Sequence, residues 1–160
     1  KKIISKTKCD AIKLEGGKKV VHIIKTLIKN KIPVMGHQGL LPQSATSFKF
    51  KGKEISEQIK IFKDAKLLEK AGVFSIVLEC IKTSLAKKIT QELKIPTIGI
   101  GASAYCDGQV LVTDDLIGLN KINVRFVKKY SNITKQINSA IIKFKNDVKK
   151  KKFPQKKHSY

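Results

Sequence analysis

Arginine is nearly missing from a strongly basic chain. Of 34 Lys and Arg residues only Arg125 is arginine, against 12 Asp and Glu, for a formal charge of +22 over 160 residues. Nucleic-acid recognition leans on arginine's bidentate fork, and here the lysines are spread over nearly every polar stretch instead of gathering on one helix. Lysine, isoleucine and asparagine abound together while alanine is scarce, as expected from an A/T-rich coding sequence drifting at exposed positions. The charge therefore reads as a solvated surface with non-specific attraction for polyanions, and nucleic acid is not an expected partner. Cysteine is scarce too. Cys9, Cys80 and Cys106 are odd in number, widely spaced and without a C-x-x-C pair, which argues against a disulfide framework and a structural zinc site. No run approaches the about 18 apolar residues of a membrane helix, and no secretory signal opens the sequence. The expectation is a cytoplasmic protein with reduced thiols and no membrane partner.

What is present is an alternation of apolar strands and amphipathic helices. The first dozen residues read as the end of a helix leading into a strand at Asp10 to Glu15, so the sequence begins in mid-unit. Lys18 to Asn30 is helical on Val20, Val21, Ile24, Leu27 and Ile28. A second strand, Ile32 to Gly36, precedes the loop-like His37-Gln38-Gly39-Leu40-Leu41-Pro42, and Ala45 to Glu54 is a polar, basic loop. A helix from Ser56 to Ala71 stops at Gly72, and the nearly all-apolar Val73 to Cys80 has the signature of a strand buried on both faces. A helix at Ser84 to Leu93 and a strand at Thr97 to Gly101 follow, while Gln109 to Val112 fits strand or helix. Val124 to Tyr130 reads as a last strand. Thr134 to Val148 reads as an amphipathic helix with Ile137, Ile141, Phe144 and Val148 inward, and residues 149–160 as a basic tail. Five strands beginning near residues 10, 32, 73, 96 and 124 give a parallel α/β pattern. One domain over residues 1–160 is expected, the last five units of an eight-unit barrel.

In such a barrel functional residues sit at the C-terminal ends of strands, and Lys13, Glu15, His37 and Glu79 all fall there. Lys13 and Glu15 lie on one side of their strand because side chains alternate with period two; the alternative is a surface pair on an edge strand. Glu79 closes a run of Val, Leu, Ile and Phe, so its carboxylate must be paired or desolvated, which raises the pKa and suits proton transfer. Glu15 is an oxygen donor of the kind Mg²⁺ prefers, and Lys13 can neutralise an anionic substrate. His37 alone could be a hydrogen-bonded structural residue. Gly99-Ile100-Gly101 is weak evidence for phosphate binding, and Asp114-Asp115 reads as a helix cap or solvated loop.

The order of the motifs is more specific than any one of them. I-K-L-E-G-G, P-V-M-G-H-Q-G-L-L-P-Q-S, A-G-V-F-S-I-V-L-E-C, I-P-T-I-G-I-G-A, C-D-G-Q-V-L-V, F-V-K-K-Y and F-P-Q-K-K-H-S-Y together resemble the ketopantoate hydroxymethyltransferase family over essentially all 160 residues. The resemblance implies a (β/α)8 TIM barrel of the phosphoenolpyruvate/pyruvate type, here incomplete and lacking its N-terminal strands. It also implies hydroxymethyl transfer from 5,10-methylenetetrahydrofolate to 3-methyl-2-oxobutanoate in pantothenate synthesis, with Mg²⁺ chelating the 2-oxo acid, and a homo-oligomer in the full-length protein. On this resemblance Glu79 is the proton acceptor, Lys13 a substrate contact, Glu15 a member of the Mg²⁺ site and His37 a resident of the same mouth with no assigned role.

Two departures qualify it. The family carries two strand-end aspartates before the I-K-L-E-G-G strand that coordinate Mg²⁺ directly, so a fragment inactive by itself is expected. Ala45 to Lys53, A-T-S-F-K-F-K-G-K, is shorter than the family's glycine-rich stretch. The alternatives are another Mg²⁺-dependent barrel acting on 2-oxo acids and a non-catalytic lysine-rich remnant.

Overall fold

A computed structural model of the chain describes residues 2–45, 49–121 and 123–160. It divides into two compact units, Lys1–Val110 and Leu111–Tyr160. The first holds α1 (Lys2–Thr7), β1 (Ile12–Glu15), a 3₁₀ turn at Lys18–Val20, α2 (Val21–Lys29), β2 (Val34–Gly39), α3 (Ile55–Ala71), β3 (Ser75–Glu79), α4 (Thr83–Glu92), β4 (Thr97–Ile100) and β5 (Gly108–Gln109). All strand pairs are parallel and the order is β1-β2-β3-β4-β5, so each strand lies beside its predecessor in sequence. Parallel neighbours require crossovers, and α2, α3 and α4 supply the first three.

Alternation along the strands sorts the sheet into two faces. Val34 in β2 and Ile76 and Leu78 in β3 join one core cluster with Ile24 of α2, Ile61, Ala65 and Leu68 of α3, and Leu85, Ala86 and Ile89 of α4. Truncating one of the leucines or isoleucines to alanine, as in Leu68→Ala, costs about 2–5 kcal/mol. α3 stops where expected, because Gly72 takes the left-handed conformation (φ 96°) and returns its N–H to the carbonyls of Glu69 and Leu68.

β2 runs through His37, Gln38 and Gly39 and is not a loop there. Its ladder continues on both sides, with Glu15 beside His37 on β1 and Gly39 beside Glu79 on β3. Glycine suggested a break, but Gly39 (φ 98°) ends the strand against its neighbour: a Cβ there would lie 2.2 Å from the Glu79 carbonyl oxygen. Gln109, left open between strand and helix, belongs to β5. The loop expected from Ala45 falls in part on residues 46–48, which lie outside the described residues. Its later part is tied to the end of β3, where the Lys51 N–H donates to the Cys80 carbonyl at 2.7 Å.

The second unit holds α5 (Thr113–Leu116), α6 (Ile133–Lys149) and a 3₁₀ turn at Lys156–His158. The strand expected over Val124 to Tyr130 is absent among the described residues; Val127 donates to the Val124 carbonyl in a turn, and Tyr130 to that of Leu116. Valines and aromatics interleaved with Arg125, Lys128 and Lys129 do not make a strand without a neighbouring ladder. α6 begins under an Asn132 cap, its side chain accepting from the Lys135 N–H at 3.0 Å. The inward stripe is not inward: Ile137, Ile141, Phe144 and Val148 are all exposed. Periodicity defines a stripe but not what covers it.

Candidate active site

The face of the sheet opposite the helices carries polar groups at the C-terminal ends of three adjacent strands. Register places Glu15 of β1 beside His37 of β2, and His37 beside Val77 of β3, two residues before Glu79. Lys13 and Glu15 share this side of β1 by alternation, and so do His37 on β2 and Val77 and Glu79 on β3. The four residues singled out from the sequence are therefore neighbours on one surface.

His37 is the centre of the group. Its side chain is 1% exposed and lies between two carboxylates, with Nε2 3.2 Å from Glu79 Oε2 and Nδ1 3.7 Å from Glu15 Oε1. The first approach is too oblique, and the second too long, for a hydrogen bond, so neither ring nitrogen has a partner of good geometry among the described residues. Burial lowers the imidazole pKa from its usual value, the Lys13 charge lowers it further, and Glu15 and the Leu40 backbone oppose them. His37 is thus neutral at pH 7, with one nitrogen carrying a proton and the other a lone pair.

Glu79 moves the other way. Desolvation at the end of an apolar strand raises its pKa, Lys13 lowers it, and the like charge of Glu15 raises it again. A carboxylate with raised basicity beside a neutral imidazole is equipped to take a proton. Next to it, Cys80 adopts φ 48°, and burial followed by the Glu79 charge pushes its thiol pKa up, so it is not a thiolate nucleophile.

Glu15 is held differently. Its Oε2 accepts the Gln43 backbone N–H at 3.1 Å, while Oε1 faces the imidazole. One partly buried carboxylate with an oxygen outside any hydrogen bond suits a hard cation such as Mg²⁺ as one of its ligands. Among the described residues, however, no group of three His, Cys, Asp or Glu side chains is arranged to hold a metal. The fit is to one ligand, not to a complete cage.

Other sequence features resolve structurally. A Cβ on Gly99 would press on the Gln109 side chain and Cys106, which explains its glycine by packing. Asp115 is buried and accepts from Asn120 Nδ2 at 2.9 Å, and both Asp114 and Asp115 lie in the first turn of α5. Asp107 was not singled out from the sequence. Its carboxylate takes the N–H of Thr97 at 2.8 Å and its hydroxyl at 3.0 Å, which anchors the start of β4. Also unforeseen were Gln38 and Asp64, which hold the turn after β1, and Gln43, whose N–H holds the Glu15 carboxylate. For Gln38 the signal was a polar residue at a helix-facing position of a buried strand; for Asp64 there was none.

The family model of ketopantoate hydroxymethyltransferase matches residues 1–156. The chain is 78% identical over 160 residues to a 3-methyl-2-oxobutanoate hydroxymethyltransferase of Pelagibacter ubique, covering 100% of this chain and 62% of that protein. It is 47% identical over 163 residues to the protein of that name from Chlorobium phaeobacteroides, and 45% over 163 residues to that from Clostridium botulinum. Each of these covers 99% of this chain and 59% of the relative. The chain spans about three fifths of the length of the curated relatives it matches.

Proposed function

Because the chain belongs to the ketopantoate hydroxymethyltransferase family, we propose that its protein transfers a hydroxymethyl group to 3-methyl-2-oxobutanoate, giving 2-dehydropantoate for pantothenate synthesis. 5,10-Methylenetetrahydrofolate is the one-carbon donor. The observation that carries this reading is Glu79, a strand-end carboxyl with raised pKa beside the buried, neutral His37. Glu79 takes the C3 hydrogen of the 2-oxo acid as a proton. The exposed Lys13 ammonium, on the same side of β1 as Glu15, meets the substrate carboxylate. Glu15 would supply one oxygen ligand to a bound Mg²⁺. Magnesium bound with the 2-oxo acid supplies the Lewis acidity that makes the C3 hydrogen removable. His37 packs against the base and keeps water from that side of it.

The sequential parallel order of β1 to β5 supports a place within a (β/α)8 barrel of the phosphoenolpyruvate/pyruvate type, with the site at the strand C-termini. A homo-oligomer in the cytoplasm belongs to the same proposal; among the described residues no helix is long and apolar enough to cross a membrane. The test is exchange of the C3 hydrogen of 3-methyl-2-oxobutanoate in deuterated water, with protein of the relatives' full length. Exchange lost in Glu79→Gln, with hydroxymethyl transfer dependent on the folate, supports the assignment. Near-wild-type exchange in that variant rejects Glu79 as the base.

A further inference from the structure

Glu15 is the last residue of β1, which pairs with β2 among the described strands. The Gln43 N–H holds Oε2 of its carboxylate at 3.1 Å, and the backbone that carries the side chain runs straight into the turn that follows. Three contacts hold that turn. The Gly16 N–H donates to the His37 carbonyl at 3.2 Å, and the Gly16 carbonyl accepts from Gln38 Nε2 at 2.7 Å. At the next residues Asp64 of α3 takes over: its Oδ1 accepts the Lys18 N–H at 3.1 Å, and a Cβ on Gly17 would lie 2.1 Å from its Oδ2.

Gln38 is 4% exposed and alternates with His37, so it leaves β2 on the helix-covered side, away from the His37–Glu79 face. A buried amide costs stability unless it is bonded, and this one donates to a carbonyl next in sequence to Glu15. Gly17 leaves the space that the Asp64 carboxylate fills. These contacts join β1 to β2 and α3 through backbone groups flanking Glu15, and neither Gln38 nor Asp64 reaches the polar face itself.

We propose that Gln38 and Asp64 are positioning residues that clamp the Gly16–Lys18 turn and thereby aim the Glu15 carboxylate. The consequence for magnesium rests on the role proposed above for Glu15; the clamp itself does not. Outer-shell partners of metal ligands change metal affinity by about 10- to 100-fold when removed. Gln38→Met keeps the length of the side chain without its donor, and Gln38→Glu keeps the shape with acceptors in its place at neutral pH.

Two measurements test this. In protein of the relatives' full length, amide hydrogen exchange should accelerate at Gly16 and Lys18 by about five- to tenfold in Gln38→Met and Gln38→Glu, with β3 amides unchanged. Asp64→Ala should do the same at Lys18, while Asp64→Asn, which keeps an acceptor, should restore protection. In protein of the relatives' full length, Gln38→Met should raise the Mg²⁺ concentration for half-maximal turnover about tenfold, with kcat at saturating Mg²⁺ nearly kept. Unchanged exchange at the turn overturns the clamp, and so does equal acceleration in β3, which would mark general destabilisation. Faster exchange at the turn with unaltered Mg²⁺ dependence overturns the aiming of Glu15 if Glu15→Gln itself raises the Mg²⁺ requirement, and overturns the role of Glu15 if it does not.

Discussion

His37 Nε2 stands 3.2 Å from Glu79 Oε2 with the imidazole 1% exposed, so the strongest base candidate on the sheet has a buried, neutral ring against its carboxylate. A cation there would hold Glu79 ionised and weakly basic. With the ring neutral, desolvation is the largest influence on the basicity of Glu79, opposed by the Lys13 charge and reinforced by that of Glu15.

Replacing Glu79 by glutamine keeps its shape and removes the base. In protein of the relatives' full length, kcat is expected to fall by about 10²- to 10⁴-fold with KM for the 2-oxo acid little changed, as read by steady-state kinetics. A rise in KM at constant kcat would instead make Glu79 a binding group.

The two shifted groups give opposite pH slopes to stability. The folded pKa of His37 is lowered, so its contribution is complete above the unfolded value of about 6.5 and is lost as pH falls through the folded pKa. The folded pKa of Glu79 is raised, so its contribution is complete below the unfolded value of about 4.3 and is lost as pH rises through the folded pKa. Urea midpoints measured between pH 4 and 8 should show a shallower acid-side loss in His37→Asn. Glu79→Gln should gain on the wild type as pH rises.

Gly39→Ala sets a methyl group against the Glu79 carbonyl and forces an L side chain to φ 98°. The left-handed strain alone costs about 1–3 kcal/mol, and the clash adds to it, pushing Glu79 away from its register with Gly39. A lowered denaturation midpoint together with weakened C3 exchange is expected. Gly39→Ala with wild-type stability would mean that β2 and β3 can separate here at little cost.

Asp107→Ala leaves the N–H of Thr97, a residue with 0% exposure, without its carboxylate. An unsatisfied buried donor costs about 1–3 kcal/mol, seen as a lower urea midpoint. The Asp107 pKa is lowered chiefly by the Thr97 backbone bond, so this stabilisation is present above the unfolded value of about 3.9 and disappears as pH falls through the folded pKa. The difference between wild type and variant should therefore shrink in acid.

Much of the first unit was legible because its strands and helices differ in period. β1 was expected at Asp10 to Glu15 and runs Ile12–Glu15, and α3 was expected from Ser56 and runs Ile55–Ala71. The apolar Val73 to Cys80 contains β3, with Glu79 at its end. Two readings failed where strand pairing decided the outcome. His37 lies inside β2 because strands on both sides extend its ladder, and Val124 to Tyr130 has no strand because no ladder reaches it.

The sequence by itself determined the parallel α/β pattern, the family and the strand-end places of Glu15 and Glu79, since alternation, helical spacing and motif order are properties of neighbours along the chain. Only the tertiary structure decided that Lys13, Glu15, His37 and Glu79 share one face, and that His37 is buried without a hydrogen-bond partner of good geometry among the described residues. It alone showed Gln38 and Asp64 holding the turn beside Glu15. Register between strands and packing of helices on a sheet join residues far apart in sequence, and a pKa responds to those distant neighbours and to lost water, which no local pattern records.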